Sequence, residues 1–164
     1  HSMLRKHVFV GVLDRDLSLC QWGTKLLVVN HLELARELFY QLSIRQFGIH
    51  ATLRLSTPLP LYDTLRAALD LTCVKWDPSD GPKDGIARDA EALLLSKREM
   101  LNDYYSIVFE PASDTKNGVS MLVALPELLQ SHTPTPGSFP LFLLNLACEV
   151  DWDDELSCFE GIAT

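Results

Sequence analysis

Three short apolar segments near the start of this chain are joined by connections too short for anything but tight turns. Residues 8–13, Val-Phe-Val-Gly-Val-Leu, read as a buried strand and Asp14-Arg15-Asp16 as a turn. Residues 17–22 read as a second strand, Gly23-Thr24 as a second turn and residues 25–29 as a third strand. Parallel neighbours need a crossover of a dozen or more residues, so these strands form an antiparallel meander. A helix follows at once. The Asn30 side-chain oxygen can accept the free amides of its first turn, and Glu33 can complete a capping box. Leu34, Leu38, Phe39 and Leu42 give that helix one apolar stripe, and Gly48 ends it.

Residues 50–56 alternate strictly and predict a half-exposed strand closed by Pro58 and Pro60. Residues 62–71 predict a short helix, and residues 77–85 are the clearest loop in the chain. Ile86, Ala90, Leu93, Leu94, Leu101 and Tyr104 share one face of a single helix of about five turns. Residues 106–110 and 119–125 read as strands joined by a turn at Lys116-Asn117-Gly118. Residues 131–138 predict a loop into a helix that begins near Phe139. The fold class is therefore α+β. A first lobe holds the N-terminal strands and the Asn30 helix, and a second runs from about residue 62 to about residue 130, after which the chain returns.

A length of 164 residues fits one domain with two lobes, and a hydrophobic content of 47% supplies a substantial core. The net charge of −8 argues against this chain gripping nucleic acid by itself, because phosphate neutralisation needs clustered Lys and Arg. It suits a basic peptide or protein partner. Cys20, Cys73, Cys148 and Cys158 show no C-x-x-C spacing and read as reduced thiols of an intracellular protein. Together with His7, His31, His50 and His132 they make no metal-ligand rhythm, so no metal or other cofactor is expected. No apolar run approaches a membrane span and no signal peptide is seen, so no membrane partner is expected. His1-Ser2-Met3 reads as a cloning scar ahead of an excised domain.

The end of the chain is its most distinctive stretch. An apolar helix from Phe139 breaks into Glu149-Val150-Asp151-Trp152-Asp153-Asp154-Glu155 and then resumes towards Cys158-Phe159-Glu160. Three further blocks precede it in order: Glu37-Leu38-Phe39-Tyr40-Gln41, Leu53-Arg54-Leu55-Ser56-Thr57-Pro58 and Gly81-Pro82-Lys83-Asp84-Gly85. With these blocks the chain resembles, over residues 7–161, the C-terminal domain of eukaryotic MutL homologues of DNA mismatch repair. The closer likeness is to the non-nuclease subunit common to MutL-alpha-type heterodimers. The resemblance implies a two-lobed α+β domain with a mixed or antiparallel sheet, packed helices and a smaller inserted external lobe. Residues 4–61 and 131–164 would form a dimerisation lobe whose C-terminal part is cut short, and residues 62–130 the external lobe. None of the shared blocks is catalytic.

The resemblance also supplies a negative. Nuclease-type MutL proteins carry DQHA-x2-E-x4-E at a strand–helix junction, where Asp, His and two Glu help build a metal site. The matching junction here begins Asn30-His31-Leu32-Glu33. The motif Asp has become Asn30, the His has become Leu32, and the two Glu positions hold Arg36 and Gln41. An amide, an aliphatic chain and a guanidinium cannot replace anionic and imidazole ligands, and Arg36 repels a cation.

Other features admit two readings. His31 beside Glu33 is a metal ligand or a helix-start histidine in solvent. Cys20-Gln21-Trp22 holds a reactive thiol or a packed strand-end cysteine. The run Asp151, Asp153, Asp154, Glu155 is a solvated helix start, with Asp151 or Asp153 as N-cap, or an anionic corner beside an aromatic platform. The face bearing Leu143, Leu144 and Leu146 is core, interface or both.

The family resemblance implies binding of short basic-aromatic peptides carried by repair exonucleases and other factors, with Glu149, Trp152, Asp153, Asp154 and Glu155 as the candidate contacts. The leading expectation is thus a nuclear, non-catalytic domain. It would pair with a nuclease-type MutL subunit and dock repair factors, without touching DNA directly. The rivals are a divergent metal-dependent endonuclease domain and an unrelated ligand-sensing module.

Overall fold

The computed structural model describes residues 2–130 and 132–163, so His1, Ser131 and Thr164 of the expected scar, loop and lobe lie outside it. The chain divides into two compact units, residues 1–42 and 43–164.

In the first unit, α1 (Ser2–Lys6) leads into β1 (Val8–Val12), β2 (Leu17–Trp22) and β3 (Lys25–Asn30), followed by α2 (His31–Arg45), whose last residues belong to the second unit. The sheet order is β1-β2-β3 with both pairs antiparallel, as the short connections require. Asp14 shapes the first turn by accepting the amides of Asp16 and Leu17, each at 2.8 Å. Gly23 makes the second with φ 60°, a left-handed conformation that needs no Cβ. The register puts Phe9, Cys20 and Leu27 on one face, with Val12, Ser18 and Val29. Val8, Gln21 and Leu26 lie on the other, with Gly11, Leu19 and Val28. The pairing slips once, between Phe9 and Gly11.

The first segment is a strand, as expected, but it is not buried. Val8, Phe9, Val10, Val12 and Leu13 are between 52% and 65% exposed. An apolar run signals burial only if layers exist to cover both faces, and this unit has none for β1. The α2 stripe is likewise incompletely covered. Leu34 and Leu38 are exposed, Phe39 and Leu42 are half-buried, and Ser43 is the helix's buried residue. At its start, Glu33 N–H donates to Asn30 Oδ1 at 3.0 Å. The Glu33 carboxylate turns instead to Arg36, at 3.2 Å, so half of the expected capping box forms.

The second unit comprises β4 (Ala51–Pro60), α3 (Leu61–Ala68), α4 (Lys83–Ser96), α5 (Arg98–Tyr105), β5 (Val108–Glu110), β6 (Met121–Glu127), α6 (Phe139–Cys148) and α7 (Glu155–Ala163). Its antiparallel sheet has the order β4-β6-β5. The ladder between β4 and β6 pairs residues 51–60 with residues 121–127. Leu61, Leu65, Leu94, Leu101, Leu122 and Leu143 are fully buried and meet in one core with Tyr105, Phe109, Leu144, Leu146 and Cys158. The Leu143 face of α6 is therefore core.

Two further expectations change. The strand that Pro58 and Pro60 were to close runs through Pro58 and ends at Pro60, because the β4–β6 register shifts between Arg54 and Leu59 and Pro58 lies where no ladder partner is lost. The single helix over residues 86–104 is broken at Lys97 (φ −96°, ψ 4°) into α4 and α5. Lys97 is a good helix former, so packing overrides propensity here, with Leu94 and Leu101 both sealed in the core.

Leu143→Ala should lower stability by about 2–5 kcal/mol in urea unfolding, through lost burial and the cavity left behind. Val28→Ala, on the uncovered sheet face, should stay within about 0.5 kcal/mol of the parent. Equal losses would show that the sheet face is covered.

Candidate functional site

Around the start of α2 lie Asn30, Leu32, Arg36 and Gln41, the residues that the resemblance sets against the metal-motif positions of nuclease-type MutL proteins. Asn30 is spent on the helix cap. Leu32 is exposed, Arg36 pairs with Glu33 at 3.2 Å, and Gln41 donates to Glu37 at 2.6 Å. The helix satisfies its own polar side chains and presents no converging anions. His31 differs from its expected place in solvent. It is half-buried, and its Nδ1 lies 2.8 Å from Oγ of Ser18, a buried residue of the middle strand. Antiparallel pairing sets Ser18 opposite Val29, two residues before His31, and this brings the pair together. Cys20 is buried, as a packed strand cysteine should be. It lines a small apolar pocket of about 200 Å³ with His7, Phe9, His31 and Leu34. Among the described residues, no group of three or more His, Cys, Asp or Glu side chains is placed to hold a metal ion.

The opposite face of the same sheet is bare. Val8, Leu26 and Val28 project from it, each 62% exposed, around the half-buried Leu19.

The acidic corner lies in the second unit, between α6 and α7. Val150 is buried at the bend and anchors it. Glu149, exposed, follows the last turn of α6 and lines two clefts. One, of about 520 Å³, also involves Trp76, Lys75 and Cys73, and the other, of about 570 Å³, involves Phe142 and Ile162. Trp152, Asp153, Asp154 and Glu155 line neither. Trp152 packs half-buried against the core, with Lys97 Nζ 5.8 Å from its ring centroid. Its indole N–H is buried without a hydrogen-bond partner. Asp153, Asp154 and Glu155 are all exposed.

The N-cap of α7 is Asp154, not Asp151 or Asp153. Its carboxylate accepts the Ser157 amide at 2.8 Å, and its carbonyl accepts the Cys158 amide at 2.9 Å. Asp151 serves the preceding turn, accepting Asp153 N–H at 3.1 Å. The sequence offers several acidic residues in a row, and only the position of Val150 in the core selects which of them meets the helix end. Two features of the corner had no sequence signal, the Lys97–Trp152 contact and the cleft formed by the residues around Trp76.

A profile described as DNA mismatch repair protein Mlh1 C-terminus matches residues 1–164. The chain belongs to this family. The DNA mismatch repair protein Mlh1 of Dictyostelium discoideum is 41% identical over 155 residues, covering 94% of this chain and 17% of that protein. The putative MutL protein homolog 1 of Schizosaccharomyces pombe is 32% identical over 164 residues, covering 98% and 22%. The DNA mismatch repair protein MLH1 of Saccharomyces cerevisiae is 31% identical over 162 residues, covering 94% and 20%. The chain spans about a fifth of the length of these curated relatives. It is a MutL-homologue C-terminal domain, and its two sheets with packed helices are the α+β architecture expected of one. Among the described residues, no helix is long and apolar enough to cross a membrane.

Hydrogen bonds from the Ser157 backbone, then from its side chain, hold the Asp154 carboxyl below the usual carboxylate range. A depressed folded-state value means that the cap's contribution is present above the unfolded value and is lost as the pH falls through the folded one. The protection of the Ser157 amide, its intrinsic exchange rate over the observed rate at the same pH, should therefore fall on acidification, and Asp154→Asn should remove that pH dependence. An unchanged dependence in the variant would assign it to another group.

Proposed function

We propose that this domain is a non-catalytic assembly module of a nuclear mismatch-repair MutL heterodimer. In this reading it pairs with a nuclease-type MutL subunit and docks repair factors, exonucleases among them, through basic-aromatic peptides. Membership of the Mlh1 C-terminal family supports the repair context. The observation that carries the pairing role is the uncovered apolar face of Val8, Leu26 and Val28, with Leu32, Leu34 and Leu38 of α2 also exposed. Obligate interfaces resemble a domain core cut in half, and a face of this composition gains stability only by being covered. The pairing surface is assigned to residues 4–61 and 131–164, and residues 62–130 are assigned the external role. The sheet face falls within the first of these segments.

The ligand-free chemistry of the α2 start agrees with a partner that supplies the metal site. Asn30, Leu32, Arg36 and Gln41 make helix-surface contacts or none. Peptide docking is assigned to Glu149, Trp152, Asp153, Asp154 and Glu155. Its support is the exposure of the four carboxylates between α6 and α7 and the two clefts that Glu149 lines.

Coexpression of the full-length protein with a nuclease-type MutL subunit tests the pairing. Leu26→Asp with Val28→Asp should abolish copurification, while the Leu143 core keeps its hydrogen-exchange protection. Copurification unchanged by both charges would sink the assignment of this face. For the peptide, Glu155→Lys should weaken a basic-aromatic exonuclease peptide by about tenfold or more in titration calorimetry, the worth of one charge-assisted hydrogen bond. The wild-type affinity should also fall with added salt. Equal affinities for both proteins, at low and high salt, would leave the corner a solvated helix start.

A further inference from the structure

The chain contains three Thr-Pro pairs, Thr57-Pro58, Thr133-Pro134 and Thr135-Pro136. All three reach one cleft of about 420 Å³, which is lined by Thr57, Thr133, Pro134 and Pro136 together with Arg54 and Phe139. Their backbones differ. Thr57 lies within β4, between the ladder pairs of Arg54 and Leu59 with β6. Thr133 and Thr135 lie outside any helix or strand, in the segment that precedes α6, and both are exposed. Thr135 has φ −72° and ψ 134°, the extended conformation that a following proline imposes. Among the described residues, neither hydroxyl has a hydrogen-bond partner.

We propose that Thr133 and Thr135 are phosphoacceptors for a proline-directed protein kinase, and that Arg54 binds the phosphate placed on Thr133. Such kinases take an extended segment with Ser or Thr followed by Pro, and this segment presents two in tandem without unfolding anything. In the transfer, the Thr Oγ–phosphorus bond forms as the bond from the γ-phosphorus to the β–γ bridging oxygen of a nucleoside triphosphate breaks. The hydroxyl proton passes to the kinase's catalytic carboxylate, and the nucleoside diphosphate leaves.

The product carries a charge of roughly −1.5 to −2 at neutral pH. On a chain of net charge −8 that dianion needs a cation close by. Arg54 is exposed on the same cleft as Thr133, and among the described residues it makes no ion pair. A guanidinium meets phosphate oxygens through two parallel N–H bonds, which would clamp the segment before α6 onto the irregular part of β4.

The test is phosphorylation of the intact chain by a proline-directed kinase with ATP, with sites mapped by peptide mass spectrometry. Phosphate is expected on Thr133 and Thr135 and not on Thr57, and it should vanish in Thr133→Val with Thr135→Val. Arg54→Gln should be phosphorylated equally and then lose its Thr133 phosphate to a phosphatase severalfold faster than the parent. If the folded chain takes up no phosphate at these threonines while a synthetic peptide of residues 130–140 does, the acceptor assignment is overturned. Equal dephosphorylation rates in the parent and Arg54→Gln overturn the role given to Arg54.

Discussion

The second unit depends on the burial of α6. Leu143 is wholly enclosed, and Phe139, Leu144, Leu146 and Ala147 are nearly so, with α6 packed against α3 and α4. At about 25 cal/mol per Å² of apolar surface removed from water, five such residues supply a large share of a marginal stability. The acidic corner inherits its position from this anchor. Val150 is drawn into the core after the last turn of α6, and the chain must then turn sharply. Asp151 and Asp154 each satisfy an amide of that turn or of the next helix start. The carboxylates are displayed outward because the residues on either side of them are held inward. Tyr105 ties the far end down, with its buried hydroxyl donating to the Phe159 carbonyl at 2.9 Å.

The first unit is built on the opposite principle. Its meander is closed by turn chemistry and by cross-strand hydrogen bonds rather than by a deep core. Ser18 and Cys20 are its buried strand residues, and its aliphatic side chains remain largely in water. Apolar residues in this state contribute little stability until another surface covers them. Arg36 and Gln41 stabilise the surface of α2 through Glu33 and Glu37. A helix surface of this kind is stabilised by internally matched polar pairs.

The strands of the meander, the Asn30 cap and the start of α6 were legible in the sequence because each is decided locally. Short connections admit only antiparallel pairing, an Asn before a helical pattern can accept an N3 amide, and a proline-rich stretch interrupts regular structure. The acidic corner was legible as a composition, but its internal roles were not. Asp151, Asp153 and Asp154 have the same chemistry, and the one that caps α7 is selected by where Val150 is pinned. The break at Lys97 left no mark either, since Ser96-Lys97-Arg98 carries neither Gly nor Pro.

Sequence alone therefore determined the antiparallel meander, the helix that Asn30 caps and the α+β class, all of which rest on residue type and near-neighbour spacing. Tertiary structure decided which apolar residues are core and which are surface, because burial depends on the layers present and not on hydrophobicity. It placed His31 against Ser18, set Lys97 over Trp152, and joined β4 to β6 across the sixty residues 61–120. Each of these contacts links residues far apart in the chain, and only the folded arrangement supplies the distance between them.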